Sequence, residues 1–162
     1  MKKILTSAGA LAALAFTTPA SAANTASANA TVNIVSPLSL TKNNDLDFGT
    51  IVGPFSNNTV TLDMSDNRNC GTLTCSGTPK SASFTVTGTG GQTVLLTIPA
   101  SVTLNGSVSG TLNVDLTTAK PGNQVLGAGG SATFGLGGTL TIPTGTADGV
   151  YSNTFTVTAN YQ

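Results

Sequence analysis

The chain has 162 residues, six Lys or Arg against six Asp or Glu, no His, and only 7% charged residues. This composition excludes a clustered basic surface for nucleic acid and a basic helix for membrane binding, since both need many Lys and Arg side chains. It also leaves general acid-base catalysis without histidine or glutamate, so we expect no enzyme, no catalytic residue and no cofactor.

The first 22 residues have the pattern of a secretory signal peptide. Two lysines precede an apolar stretch over residues 4–16, and an Ala-Ser-Ala sequence ends at Ala22. The apolar stretch is shorter than the ~20 residues that a membrane span needs, so we favour a cleaved leader over a retained helix. We predict export, no membrane insertion, and cleavage between Ala22 and Ala23, although a second Ala-Ser-Ala at 26–28 leaves the exact bond open.

After the leader, the chain has the length of about one domain. Residues 23–29 are small and polar, which predicts a flexible N-terminal segment, and residues 30–162 are expected to form a single β-sandwich domain. An alternating apolar series runs through the start of this region: Ala26, Ala28, Ala30, Val32 and Ile34. This series is a candidate strand, either completing the chain's own fold or acting as a donor strand for another subunit.

Seven segments alternate apolar and polar residues with a period of two, which is typical of strands with one buried face. They lie at 30–34, 60–64, 84–86, 94–98, 112–116, 136–142 and 155–161. Clusters of Gly, Asn and Pro separate them, for example at 42–45 and 120–123, and no segment has a helical apolar pattern. The sequence predicts an all-β protein, an immunoglobulin-like antiparallel sandwich of about seven to eight strands.

Two short segments resemble sites of known chemistry but lack the residues that would accompany them. Asp47-Phe48-Gly49 spells the magnesium-binding tripeptide of protein kinases without the rest of that machinery, so we predict a strand that bends at Gly49. Oxygen ligands for calcium could gather at residues 63–69, but the spacing of an EF-hand is absent. We predict a plain acidic loop and no metal site.

Cys70 and Cys75 are the only cysteines. In an exported chain a disulfide is the default, and two thiols are too few for a closed zinc site. The ring is small, so we expect the bond to contribute about 2 kcal/mol on the loop-entropy model. It would pin the loop between two predicted strands.

The C-terminal segment 149–162 is the most informative part of the chain. Gly149 is fourteenth from the end, Phe155, Val157 and Ala159 alternate, and Tyr161 is penultimate. This pattern resembles the last strand of pilus subunits assembled by the bacterial chaperone-usher route. The resemblance implies β-augmentation at this edge, in which a strand from a chaperone or from the next subunit supplies the missing pairing.

A second resemblance covers nearly the whole chain after the leader. The blocks at 30–32, 37–40, 46–51, 137–140 and the C-terminal segment look like the proteobacterial family named domain of unknown function 4402. This resemblance implies export by a Gram-negative bacterium, through the periplasm to the cell surface, a pilus or the medium. It also implies kinship with pilus-like sandwiches.

From these observations we expect an exported structural subunit of a pilus-like or fimbria-like assembly, joined by β-strand complementation and serving attachment or biofilm. Its expected partners are copies of itself or related subunits, with a periplasmic chaperone and an outer-membrane usher as candidates. The alternative is a self-complete secreted or cell-surface β-sandwich domain that binds carbohydrate or protein.

Overall fold

The computed structural model describes residues 24–162. The predicted signal peptide and the cleavage site between Ala22 and Ala23 therefore lie outside the described residues. The chain divides into two compact units, one ending at Asn33 and the other running from Ile34 to Gln162. Residues 24–33 belong to no strand and are exposed.

The second unit consists of strands and connecting turns, and no helix occurs in residues 24–162. The thirteen strands are β1 (Ser39–Asn44), β2 (Thr50–Val52), β3 (Asn58–Leu62), β4 (Arg68–Asn69), β5 (Thr74–Ser76), β6 (Ala82–Thr87), β7 (Thr93–Thr97), β8 (Ser101–Gly106), β9 (Thr111–Thr118), β10 (Gly122–Val125), β11 (Ser131–Ile142), β12 (Tyr151–Ser152) and β13 (Thr158–Tyr161). The all-β prediction is confirmed. The predicted strand number was too low, partly because β2, β4, β5 and β12 have only two or three residues each.

One large antiparallel sheet forms the base of the domain, with the order β1-β6-β11-β9-β8-β12. Its longest strand, β11, pairs with β9 on one side. On the other side β11 pairs first with β6 and then with β3, and β4 extends the sheet beyond β3. Strands β2 and β5 form a separate two-stranded ribbon.

A three-stranded sheet with the order β10-β7-β13 covers one half of the large sheet. Apolar side chains of β6 and β11 pack there with those of β7 and β13 in one buried cluster. We call this region the closed half of the sandwich. A second cluster lies on the inner face of β3, β8, β9 and the end of β11, and we call that region the open half. The two stacked sheets make the domain a β-sandwich.

The strand predicted at residues 30–34 is absent, since the first strand begins at Ser39. Val32 and Ile34 are exposed and have no neighbouring strand, and an alternating pattern alone does not hold an extended segment in place. Turns predicted at 42–45 and 120–123 overlap the strand ends of β1 and β10. Asn44, Gly122 and Asn123 occupy paired positions, and Asn43 lies at a shift in the register of β1.

Strand β11 begins at Ser131, five residues before the predicted segment, and it continues without a break through Gly137 and Gly138. A Cβ atom at Gly137 would collide with the carbonyl oxygen of Leu62 on β3. The glycine therefore serves the close approach of two backbones, a role that a sequence pattern of strand and turn residues does not reveal.

Candidate functional site: an open apolar groove

The C-terminal segment crosses from one sheet to the other. In β12, Ser152 is opposite Asn105 of the large sheet, and in β13, Thr158 is opposite Thr97 of the small sheet. Residues 153–157 belong to neither strand. The prediction of one continuous terminal strand is therefore wrong, since a chain that changes sheets must leave the first ladder before it joins the second.

The predicted edge residues are accordingly divided among different surroundings. Ala159 and Tyr161 lie in β13, whereas Phe155 and Val157 lie in the unpaired crossing segment, and Gly149 precedes β12. Phe155 is half-buried and packs against the apolar clusters of both halves. Its ring meets that of Phe84 edge to face, with centroids 6.4 Å apart. The segment thus joins the two halves of the core.

Both short C-terminal strands lie at the end of a sheet. Strand β12 is the last strand beside β8, and β13 is the last strand beside β7. Each piece of the C-terminal segment is therefore an edge strand of its own sheet. Whether another chain pairs with that edge stays a prediction.

A cavity of about 580 Å³ opens in the open half, on the inner face of the large sheet. Its floor consists of apolar side chains that alternate along β8, β9 and β11: Val102, Leu104, Leu112, Val114, Leu140 and Ile142. The small sheet does not extend over this floor, because its last strand β13 begins only at Thr158. Leu104 is half-buried and the other five floor residues are buried, so the chain itself covers most of this floor and leaves a cavity beside it.

Two chain segments form the rims of this cavity. One rim comprises residues 46–51 and Phe55, and the other comprises residues 146–153 and Phe155. On the first rim, β2 pairs only with β5, so its other edge has no partner strand in the described chain. On the second rim, residues 153–157 are likewise unpaired. Both rims thus contain backbone that has no partner strand in the described chain, beside an apolar floor, and a free strand edge of this kind can accept an added strand.

Hydrogen bonds from Arg68 hold the first rim in place. Its guanidinium donates to the carbonyl oxygens of Phe48, Ser76 and Gly77, at 2.5, 3.0 and 3.3 Å. Arg68 is the only arginine in the sequence. Asp47 is fixed by two main-chain hydrogen bonds with Lys80, and Phe48 is buried. The expected strand at Asp47-Phe48-Gly49 is thus reduced to a single bridge, with the predicted bend at Gly49, whose φ is +72°.

The acidic loop at 63–69 is linked to the same rim through Lys80, which bonds to Asp66 of the loop and to Asp47 of the rim. Asp66 accepts hydrogen bonds from Lys80 and from the amide and hydroxyl of Ser81, and these interactions, that of Lys80 first, hold the pKa of its carboxyl well below the usual range. Asp63 accepts from the side-chain amide of Asn67 and from the main-chain N–H groups of Asn67 and Ser65, which lowers its pKa as well. Both carboxylates therefore organise the loop.

The disulfide between Cys70 and Cys75 is present, which confirms the predicted bond. Cys70 and Leu73 pack against the cluster of the open half, and Cys75 lies in β5 opposite Ile51 of β2. The predicted role was to pin a loop between strands. Because Cys75 belongs to β5, the disulfide also ties this loop to the ribbon of β2 and β5 at the cavity rim.

The second rim is held by side chains near β12. The hydroxyl of Tyr151 donates to the carbonyl oxygens of Ala147 and Ser109, at 2.8 and 3.2 Å. The side-chain amide of Asn153 donates to the carbonyl oxygen of Thr103, at 2.7 Å. Sequence reasoning missed Tyr151 and the first rim as parts of a site, because an uncovered floor leaves no local signal in the sequence.

The candidate donor residues Ala26, Ala28, Ala30, Val32 and Ile34 are all exposed. Val32 and Ile34 are 83% and 84% exposed, the most exposed large apolar side chains in the described chain. Just beyond them, Ser36 is fixed by hydrogen bonds. Its N–H donates to the hydroxyl oxygen of Thr89, and its carbonyl accepts from the hydroxyl of Tyr161, which itself accepts from the N–H of Thr89.

The fold and the groove define an antiparallel β-sandwich whose inner face is covered over one half and open over the other. The chain belongs to the family described as Domain of unknown function (DUF4402), whose model matches residues 38–161. No curated protein and no solved structure gives a significant match. Within residues 24–162, no helix is long and apolar enough to cross a membrane.

Proposed function

We infer that this chain is an exported structural subunit of a pilus-like or fimbria-like surface assembly, whose copies are joined by β-strand complementation. The observation that carries this proposal is the cavity of about 580 Å³ between two rims, each of which contains backbone without a partner strand in the described chain. An added strand would bury apolar floor and satisfy main-chain groups in a single step. Attachment to a surface or biofilm formation is the proposed outcome of the assembly.

The N-terminal segment supports the same function. Its apolar residues alternate with polar ones, as in a strand with one apolar face, and all of them are exposed. Such a segment could pair with a sheet edge of another chain. Copies of the chain, or related subunits, are therefore the proposed partners. A periplasmic chaperone is a further proposed partner, because the edges of β2, β12 and β13 have no partner strand in the described chain and would need a cap during export. An outer-membrane usher would receive the subunit from the chaperone.

The first experiment compares the chain from Ala23 to Gln162 with a variant that lacks residues 23–34. The full chain is expected to form multimers that resist SDS, and the shortened variant is expected to stay monomeric. Circular dichroism on both proteins separates a loss of assembly from a loss of folding. A full chain that remains monomeric at every concentration contradicts the proposal.

The second candidate function is that of a self-complete surface domain that binds carbohydrate or protein. The cavity volume favours it, since about 580 Å³ lies within the range of small-molecule sites. The polar rim groups of Asp47, Asp148 and Asn153 would supply hydrogen bonds to a sugar. Binding of the monomer to a glycan array, abolished by Leu104→Glu in the cavity floor, supports this candidate, and an array without signal counts against it.

A further inference from the structure

Met64 is the only readily oxidised side chain in residues 24–162. The sequence has no His and no Trp, and its other methionine is Met1. Its two cysteines, Cys70 and Cys75, are joined in a disulfide, so no thiol competes for an oxidant. Met64 is 39% exposed, and a small oxidant in solution can therefore reach it. Oxidants convert an accessible methionine to its sulfoxide, and dedicated reductases reverse this change.

The side chain of Met64 joins the acidic loop to the end of β9. Its sulfur accepts a hydrogen bond, at 3.1 Å, from the main-chain N–H of Ala119, the residue that follows β9. Its Cβ and Cγ atoms lie over Gly135 of β11, where an added Cβ atom would come within 3.2 and 3.5 Å of them. One methionine thus attaches the loop to two strands that are distant in the sequence.

The loop has a second attachment, which contains no oxidisable atom. The main-chain N–H and the hydroxyl of Ser81 both donate to the carboxylate of Asp66, each at 2.7 Å. The end of β9 is also fixed without Met64, because the hydroxyl of Thr118 donates to the carbonyl oxygen of Gly135 at 3.0 Å. A change at the sulfur would therefore open one contact and leave the surrounding strands in place.

We propose that Met64 is a site of reversible oxidation by hydroperoxides, and that its sulfoxide releases the acidic loop from the end of β9. A lone pair of the sulfur attacks one oxygen of the hydroperoxide, so that an S–O bond forms and the O–O bond breaks. The other oxygen takes the proton and leaves as water or an alcohol. The sulfur is oxidised by two electrons and the hydroperoxide is reduced by two. A dithiol reductase reverses the step, and its thiols become a disulfide as the oxygen leaves as water.

The geometry of the sulfur explains why oxidation breaks the contact. A separation of 3.1 Å between the sulfur and the nitrogen of Ala119 leaves no room for an oxygen atom between them. The added oxygen must lie on another side of the sulfur or displace Ala119, and in both cases this N–H loses its present acceptor. Oxidation also turns a flexible apolar side chain into a polar one, which weakens its packing over Gly135.

The first measurement is the site of modification. The chain from residue 23 to residue 162 is treated with hydrogen peroxide, digested, and analysed by mass spectrometry. One added oxygen per chain is expected, at Met64. Free methionine in the same solution serves as the reference for full accessibility, and a Met64 that stays unmodified while the free methionine is converted overturns the proposal.

The second measurement is the release of the loop. In the oxidised protein the amide of Ala119 is expected to exchange hydrogen at least threefold faster than in the untreated protein. The amides of Asp47 and Lys80, which bond to each other's carbonyl oxygens, are expected to exchange at an unchanged rate. The melting temperature is expected to fall by about 2–4 °C. Methionine sulfoxide reductase with dithiothreitol is expected to restore both values.

Two variants assign these effects to the sulfur of Met64. Met64→Leu keeps an apolar side chain of similar size that peroxide does not oxidise, so peroxide is expected to change neither its exchange nor its melting temperature. Met64→Gln places a polar group at a similar distance from the backbone and is expected to show the fast exchange of Ala119 without peroxide. A peroxide effect of equal size in Met64→Leu overturns the assignment.

Oxidation without release is a separate outcome. If Met64 gains its oxygen while the exchange of Ala119 and the melting temperature stay the same, the proposed release is wrong. Multimer formation plays no part in these measurements, because treated and untreated samples of one protein are compared. Their failure therefore leaves the proposed function standing, and a failure of assembly leaves this inference standing.

Discussion

The closed and open halves of the sandwich share the large sheet, but they differ in what packs against its inner face. In both halves, alternating apolar residues of the large sheet point inward. Over the closed half, β7, β10 and β13 complete the second layer, and side chains such as Val86 and Leu136 are fully buried. Over the open half, only the two rims are present and a cavity of about 580 Å³ remains between them.

This difference separates the residues that stabilise the fold from those available for binding. The apolar side chains of the closed half cannot contact a partner, because they already pack against one another within the chain. In the open half the floor is also buried, except for the half-buried Leu104, but a cavity of about 580 Å³ remains beside it, so an added apolar group has room there. The two halves should therefore respond oppositely to matched substitutions.

The largest expected difference comes from truncating a leucine in each half. Leu136→Ala in the closed half removes a side chain that is 0% exposed and should cost about 2–5 kcal/mol of unfolding free energy. Leu104→Ala in the open half should cost about 1 kcal/mol, because Leu104 already borders the cavity and no closed void is created. Urea unfolding of the monomers measures both. Equal losses would mean that the open half is as tightly packed as the closed half.

Enlarging a valine should have opposite signs in the two halves. Val94→Ile adds a methylene group to a fully buried position and should destabilise the closed half by about 1–3 kcal/mol. Val102→Ile adds the same group beside the cavity and should stabilise the monomer by up to ~0.8 kcal/mol. Thermal unfolding of the pair gives the comparison. Destabilisation by Val102→Ile would show that the cavity has no room for additional side-chain volume.

The two tyrosine hydroxyls provide a smaller contrast. Tyr161→Phe removes the bonds to Thr89 and Ser36, and should cost about 1 kcal/mol and increase protease cleavage near Ser36. Tyr151→Phe removes the bonds at the cavity rim and should cost a similar amount without that cleavage. Limited proteolysis followed by mass spectrometry checks the site. Equal cleavage near Ser36 in both variants would refute the role of Tyr161 in fixing Ser36.

The smallest expected effect concerns the acidic loop behind the first rim. Because Lys80 and Ser81 lower the pKa of Asp66, its contribution to stability is present above the unfolded value of 3.8 and is lost as the pH falls below it. Asp66→Asn should therefore lower the melting temperature at pH 7 but not at strongly acidic pH. Asp45→Asn, which breaks an exposed pair with Lys42, serves as the control and should change little. A difference that persists unchanged at acidic pH would contradict this account.

Much of the fold could be predicted from alternation alone. The predicted segments around Phe84, Val94 and Val114 lie in β6, β7 and β9, since each has one buried face. The disulfide followed from the compartment and the cysteine count. The reason for Gly137 in the middle of β11 could not be predicted, because this glycine is required by the backbone of β3, a strand distant in sequence.

Of the candidate site, only the part formed by the C-terminal segment could be recognised from the sequence. The C-terminal pattern predicted a strand that pairs at an edge, but the division of this segment into β12 and β13 depends on which sheet each piece joins. The cavity was not predictable, because it arises where no strand covers Val102, Leu112 and their neighbours. The absence of a covering strand depends on how the two layers pack together, so no local sequence pattern indicates it.

Hydrogen exchange on the assembled protein tests the central claim most directly. Amides on both rims, at residues 50–52 and 153–157, should exchange at least tenfold more slowly in the multimer than in the variant that lacks residues 23–34, which is expected to stay monomeric. Amides of β10, on the outer edge of the small sheet, should exchange at the same rate in both. Protection confined to β10, with unchanged exchange at the two rims, would contradict strand addition in the open half.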